Sequence, residues 1–216
     1  MSTPHRSDPD LIVLHALRCV GVAGADRVTT AAGMSRDQTV QRLQDLASRR
    51  LAALDPGPFG GWSLTELGRS TAQEWLEAEL DLTDARTGVQ RSYESFLGLN
   101  PQLLQICTDW QMRRLGSAHV VNDHTDADYD NAVLSRLIQV DDSVQHLCRN
   151  LSTRLSRFSG YGPRLGSALD RSLAGATEHV SDSLDSYHSV WFQLHEDLLV
   201  TLGISRGDER RGSAAD

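Results

Sequence analysis

The sequence contains no lysine, since all 21 basic residues among its 216 are arginine. This usage is typical of a GC-rich genome, where arginine codons dominate, and says little about mechanism. Long apolar runs are also missing: no stretch approaches the roughly 18–20 apolar residues needed to cross a bilayer. The first residues lack the cationic and apolar segments of a secretory signal. We therefore expect a cytoplasmic protein with no membrane partner.

Cysteine is scarce, and the motifs of common enzymes are absent. Cys19, Cys107 and Cys148 are odd in number, far apart and surrounded by apolar neighbours. They are expected to be small hydrophobic residues in a reducing compartment rather than metal or redox groups. There is no glycine-rich phosphate loop, nucleophile elbow or Cys-x-x-Cys pair. We therefore expect neither an enzyme nor a resident cofactor.

Acidic residues are abundant but unevenly placed. The formal net charge is −8. Residues 1–72 carry 8 Arg against 7 Asp and Glu, a balance of +1, whereas residues 73–216 carry 13 against 22, a balance of −9. An evenly acidic surface would disfavour the binding of a polyanion such as DNA. The distribution instead leaves the first third of the chain compatible with nucleic acid.

The first third of the chain shows a regular order of short elements. After polar residues up to Pro9, which are expected to fray, Asp10 is predicted to cap a helix ending near Val20. A second helix is predicted over 25–32, ended by Gly33 in a left-handed turn, and a third over 36–49, capped by Ser35. A strand at 51–54, a turn-rich loop at 55–61 and a strand at 62–64 precede a helix from Thr65.

This order, and the segment VTTAAGMSRDQTVQRLQDLASRRLAA…GGWSLTELGRS, resembles the reader heads of MarR-like and related winged helix-turn-helix regulators. The resemblance covers about residues 10–72. It implies a DNA-binding domain in which the third helix reads the major groove. The chain departs from the pattern at Arg50, where these families often have glycine, and in a wing whose tip has no basic residue.

The third helix carries the candidate base-reading residues. Its apolar positions Val40, Leu43 and Ala47 share one face, so polar residues are expected on the other. Glutamine can pair with adenine and arginine with guanine in the major groove. The predicted DNA-binding residues, for bases or for phosphates, are Thr29, Thr30, Ser35, Arg36, Gln38, Gln41, Arg42 and Arg49.

The rest of the chain is predicted to be helical throughout, with helices near 65–88, 100–115, 128–158, 163–174 and 180–202. The long helix has apolar residues at spacings of three and four, typical of a helical bundle. Those residues are Val133, Leu137, Val140, Val144, Leu147, Leu151, Leu155 and Phe158. Polar and aromatic residues also cluster in this part, and His188 and His195 flank Trp191 on one predicted helix face.

A face that is half apolar and half ionisable suits a small-molecule pocket inside a bundle. The residues predicted to form this effector site are Asp109, Trp110, Asp123, His124, Tyr187, His188, Trp191 and His195. Two other interpretations stay open: a metal site made by the same histidines and carboxylates, and core residues that fix helix register. Phrases such as SYHSVWFQLHEDLL are also similar to a helical domain behind winged-helix heads in actinobacterial regulators, and that similarity implies no ligand.

The sequence thus predicts a mainly α protein, with an N-terminal winged helix-turn-helix of three helices and a β-hairpin wing, followed by an α-helical bundle. The predicted division is a DNA-binding domain at 1–72, a dimerisation and effector domain at 73–204, and a disordered tail at 205–216. The expected function is that of a homodimeric transcriptional regulator bound to double-stranded DNA. The alternative is a docking module that uses the winged helix to bind protein.

Overall fold

The computed structural model of the chain describes residues 4–205 and 207, and they are mainly helical. The helices are α1 (Pro9–Val20), α2 (Ala25–Ala32), α3 (Arg36–Ser48), α4 (Glu66–Thr83), α5 (Arg86–Gln111), α6 (Ala127–Ser152), α7 (Tyr161–Leu173), α8 (Glu178–Ser181) and α9 (Tyr187–Leu202), with a 3-10 turn at Ser156–Gly160. No described helix is both long enough and apolar enough to span a lipid bilayer.

Two antiparallel hairpins complete the secondary structure of the described residues. Strands β1 (Ala52–Leu54) and β2 (Trp62–Leu64) pair with Ala52 opposite Leu64. Strands β3 (Met112–Leu115) and β4 (Ala118–Val121) pair with Met112 opposite Val121. The sequence predicted no second hairpin: β3 replaces the end of the helix predicted near 100–115, so that end of the helix is wrong, and β4 lies between two predicted helices. The hairpin forms because Gly116 and Ser117 make a two-residue turn between β3 and β4. Gly116 has a φ of +62°, and a turn that begins with a positive φ matches the right-handed twist of the paired strands.

The described chain divides into two compact units. The first comprises residues 4–90, 153–157 and 195 onward, and the second comprises 91–152 and 158–194. The sequence-based division placed the boundary between its two folded domains after residue 72. In the structure, residues 73–90 and two later segments belong to the first unit as well. The predicted disordered tail at 205–216 lies, except for Ser205 and Gly207, outside the described residues.

From His5 onward the N-terminal segment of the first unit is held by backbone hydrogen bonds, contrary to the predicted fraying, and residues 1–3 of that prediction lie outside the described residues. His5 donates its backbone N–H to the Arg154 carbonyl at 3.0 Å, and Ser156 donates to the His5 carbonyl at 2.9 Å. Asp8, not Asp10, then caps α1: the Asp8 carboxylate accepts from the backbone N–H of Asp10 at 2.8 Å, and Pro9 occupies the first turn. Proline suits that position because its missing N–H would have no helical partner.

Helices α2 and α3 match their predicted bounds closely. Gly33 ends α2 with φ +62°, and three residues, 33–35, separate it from α3. Beneath them lies the core of the first unit, to which α1, α3, the first hairpin and α4 contribute. Val13, Leu14, Val28, Leu43 and Leu46 are fully buried there. This core fixes α3 so that one of its faces is turned outward.

The second unit keeps the predicted apolar stripe of α6 but shortens the helix. The stripe residues from Val133 to Leu151 are buried, and the helix ends at Ser152 rather than at residue 158. The predicted helix over 180–202 is interrupted as well. Ser186 accepts from the backbone of Ser189 at 3.2 Å and so starts α9 at Tyr187. Side chains such as Ser favour these local caps over a continuous helix.

Candidate functional site

The outward face of α3 is the first candidate site. Ser35 and Gln38 form a reciprocal capping box, each side chain accepting from the other residue's backbone at 3.3 Å. Thr39, Leu43 and Leu46 are buried on the inner face. At 100° per residue, the opposite face is the one that is free to meet a ligand. It consists of exposed polar residues, namely Asp37, Gln41, Gln44, Asp45 and Ser48.

Two of the predicted DNA-binding arginines do not lie on that face. Arg42 and Arg49 bind opposite oxygens of the Asp10 carboxylate, at 2.9 and 2.8 Å, and Arg49 also lies over the Trp75 ring. The prediction took Val40, Leu43 and Ala47 as the buried face. Because Thr39 and Leu46 are fully buried with Leu43, whereas Val40 and Ala47 are only half-buried, the true face is rotated, and both arginines point toward α1.

The remaining predicted contacts surround the start of α3. Arg36 pairs with Asp26 of α2 at 2.7 Å, and this hydrogen bond raises the pKa of the guanidinium. Thr30 is exposed and donates to the Asp26 carbonyl at 3.1 Å. Thr29 is half-buried, and its hydroxyl oxygen has no partner among the described residues. Of the predicted set, Gln41 is therefore the one at the centre of the outward face.

Sequence reasoning missed Gln44. It is exposed and follows Gln41 by three residues, so the two amides lie side by side along α3. That spacing was available in the sequence, but the misplaced inner face concealed it. Arg27 and Arg50 are exposed near the same helices, and neither has an ion pair with another described residue.

The loop between β1 and β2 is apolar at its tip. The Phe59 side chain is 98% exposed, and Val22 and Leu54 are more than half exposed. Trp62 of β2 pairs on one edge with Leu54 and on the other with Ala23, so Val22 and Leu54 flank the same small sheet. The loop residues 55–61 contain no arginine. This hairpin offers a hydrophobic rather than a cationic surface.

Half of the predicted effector residues meet in the second unit, around Trp110. His124 packs against the Trp110 ring, with centroids 4.6 Å apart and the ring planes tilted by 41°, and binds the Asp130 carboxylate at 3.0 Å. Asp109 pairs with Arg136 at 2.8 Å, and Asp123 pairs with Arg113 at 3.3 Å. Each of these polar groups thus has an internal partner. Among the described residues, no three histidine, cysteine or acidic side chains converge as a metal site would require.

The other predicted effector residues follow α9 and do not join that cluster. Trp191 is buried, stacks on Phe96 with centroids 4.1 Å apart and donates to Asn100 at 3.0 Å. Asn100 lies ten residues, about 15 Å, from Trp110 along α5. Tyr187 is buried and donates to Asp141 at 2.8 Å. His188 is half-buried in the same unit, whereas His195 belongs to the first unit.

A buried charge network lies in the first unit, and sequence reasoning missed it. Arg157 donates to Asp197 at 2.7 Å and to Glu79 at 3.3 Å, and all three side chains are at most 6% exposed. His15 also contacts Asp197 at 2.7 Å. Burial alone would lower the pKa of Arg157, but the two carboxylates outweigh it and raise the pKa. The four residues are far apart in sequence, so no local pattern signalled them.

Burial raises the pKa of every cysteine thiol. The pKa values of Cys107 and Cys148 rise to about 12, and that of Cys19 also rises well above its usual range. Because the thiolate is the reactive form, none of the three is suited to act as a nucleophile at neutral pH.

No protein-family model, curated protein or solved structure matches this chain.

Proposed function

We propose that this chain is a DNA-binding transcriptional regulator whose first unit acts as a winged helix-turn-helix and inserts α3 into the major groove. The observation that carries the proposal is the exposed Gln41–Gln44 pair on α3. Glutamine amides read adenine through paired hydrogen bonds, and both amides are exposed. Three residues with a left-handed Gly33 join α2 to α3, as in helix-turn-helix motifs.

Phosphate contacts in this proposal come from the arginines around α3. Arg27 and Arg50 are exposed without an ion pair among the described residues, and Arg36 is 65% exposed in its pair with Asp26. Exposed ion pairs contribute little to stability, so Arg36 can exchange Asp26 for a phosphate at low cost. Backbone contacts of this kind hold a reading helix in register.

A dimer completes the proposal, because one small head makes too few contacts to select a site and a symmetric pair reads a palindrome. Leu97 and Leu104 lie seven residues apart on one side of α5, and each remains about 40% exposed. Such a stripe is suited to pairing with a second helix. Light scattering of the purified chain tests this part separately.

The test is to select duplexes from a random-sequence library and to measure their affinities by fluorescence anisotropy at several salt concentrations. Log affinity should fall linearly with log salt, with a slope of about −0.9 for each phosphate contact. Gln41→Ala with Gln44→Ala should weaken the selected site by at least about tenfold and leave scrambled DNA unaffected. Gln102→Ala, an exposed glutamine in the second unit, is the matched control. Failure to enrich any sequence would refute the proposal.

The apolar hairpin favours a second candidate, a protein-docking module. A side chain that is 98% exposed, as Phe59 is, suits burial in a partner. Under this alternative the chain has no measurable DNA affinity at moderate salt. The titration therefore separates the two functions.

A further inference from the structure

A cavity of about 750 Å³ lies within the first unit, between the N-terminal segment and α4. Its apolar lining includes Leu11, Trp75 and Leu82, and its polar lining includes His5, Ser7 and Glu79. This volume is in the range of small-molecule sites, which are mostly apolar with a few converging polar groups. None of the predicted effector residues lines it.

Two polar atoms in the cavity lining have no hydrogen-bond partner among the described residues. They are the Ser7 hydroxyl oxygen and the Oε1 atom of Glu79. Ser7 is 2% exposed, and the Glu79 side chain is 4% exposed. A buried polar atom without a partner is costly and therefore uncommon in native proteins. Both atoms are closed to solvent and lack a donor, so a ligand that opens the lining around them would supply the missing hydrogen bond.

The charges around Glu79 favour a cation. Its Oε2 accepts from Arg157, but that single guanidinium is shared with Asp197. His5 Nε2 lies within ion-pair distance of Oε1, at 3.6 Å, but is too far for a hydrogen bond, and His15 faces Asp197 instead. At the exposed rim, Arg6 and Asp8 carry opposite charges. A carboxylate oxygen with a free lone pair accepts most strongly from a charged donor.

We propose that this cavity binds a small molecule with an apolar body and one primary ammonium group. The ammonium donates to Glu79 Oε1 and to the Ser7 hydroxyl oxygen, and the apolar body lies against Trp75, Leu11 and Leu82. This assignment rests on the first unit alone and holds whether or not the chain binds DNA.

Three probes with similar phenyl skeletons test the charge preference: 2-phenylethylammonium, 2-phenylethanol and 3-phenylpropanoate. Each is titrated into the full ¹⁵N-labelled chain while the indole N–H resonances are followed, with Trp75→Phe to assign that of Trp75. The ammonium should shift the Trp75 signal saturably and bind about five- to tenfold more tightly than the alcohol, because charged hydrogen bonds are stronger than neutral ones. Equal or tighter binding of the carboxylate, or no saturable shift at Trp75, would overturn the proposal.

Two variants locate the site. Ser7→Ala removes a hydroxyl that has no partner in the free protein, so Tm should not fall, whereas ammonium affinity should drop about three- to tenfold. Ala78→Trp places a large side chain on the exposed lining and should abolish binding. Ser70 is an exposed serine on α4, the helix that carries Ala78. Ser70→Ala is the control and should change neither the Tm nor the ammonium affinity. Unchanged ammonium affinity in Ser7→Ala would overturn the proposed contact with Ser7, and unchanged affinity in Ala78→Trp would show that the cavity does not bind the probe.

Discussion

At the scale of single residues, Arg50 holds a backbone conformation that glycine would adopt more easily. Its φ of +61° lies in the left-handed region, which costs a residue with a side chain about 1–2 kcal/mol. Arg50→Gly should raise the free energy of unfolding by up to about 1 kcal/mol, since glycine's greater freedom in the unfolded chain offsets part of the gain. Arg69→Gly, an exposed helical control, should lower it by about 1 kcal/mol. Urea unfolding measures the free energy of unfolding of each variant. A loss in Arg50→Gly as large as that in Arg69→Gly would contradict the prediction.

All three cysteine thiols should be unreactive in the native chain. With pKa values of about 12, Cys107 and Cys148 hold a thiolate fraction of about 10⁻⁴ at pH 8, and Cys19 is also disfavoured. Iodoacetamide should therefore leave the native chain unlabelled under conditions that alkylate free cysteine. Mass spectrometry after labelling in denaturant, where all three should react, provides the control. Rapid native alkylation of any one of them would mean that its thiol is accessible and ionised.

At the scale of elements, the start of α4 must approach β1 so closely that only glycine fits. A Cβ on Gly68 would lie 1.8 Å from the Leu51 carbonyl oxygen. Gly68→Ala should therefore destabilise the chain by about 1–3 kcal/mol or more, as overpacking against backbone does. Gly98 of α5 is a matched control, because a Cβ there meets nothing within 4 Å. Gly98→Ala should stabilise by up to about 1 kcal/mol, and urea unfolding should give opposite signs for the two substitutions.

The same elements show why sequence predicted some of the structure and not the rest. Helices α2 and α3 were predicted because Gly33 and Ser35 act locally on their own helix ends. Helix α5 runs through Pro101, where the sequence suggested a helix start. The orientation of α3 depended on the burial of Thr39 and Leu46 in place of Val40 and Ala47, which tertiary packing decides. The network around Arg157 and the cavity beside it depend on segments far apart in the chain, beyond any local pattern.

At the scale of the whole molecule, the network of His15, Glu79, Arg157 and Asp197 joins four distant segments of the first unit. Removing one partner of a buried ion pair leaves an uncompensated charge and typically costs about 3–5 kcal/mol. Asp197→Asn should therefore lower the free energy of unfolding by about 3 kcal/mol or more. Asp185→Asn breaks an exposed pair with Arg171, and its cost should stay below about 1 kcal/mol. Similar losses in the two variants would show that the buried network contributes little.

The net charge of −8 disfavours the proposed binding to DNA, and the Asp10 carboxylate places one of the negative charges next to α3. Its carboxylate holds both Arg42 and Arg49, which are 40% and 46% exposed and lie within reach of a phosphate once released. Asp10→Asn should raise DNA affinity and steepen the salt dependence by about one to two phosphate contacts. Asp128→Asn makes the same charge change at an exposed site in the second unit. If the two variants respond alike in anisotropy titrations, net charge alone accounts for the gain; a steeper slope only in Asp10→Asn means that the released arginines reach the DNA backbone.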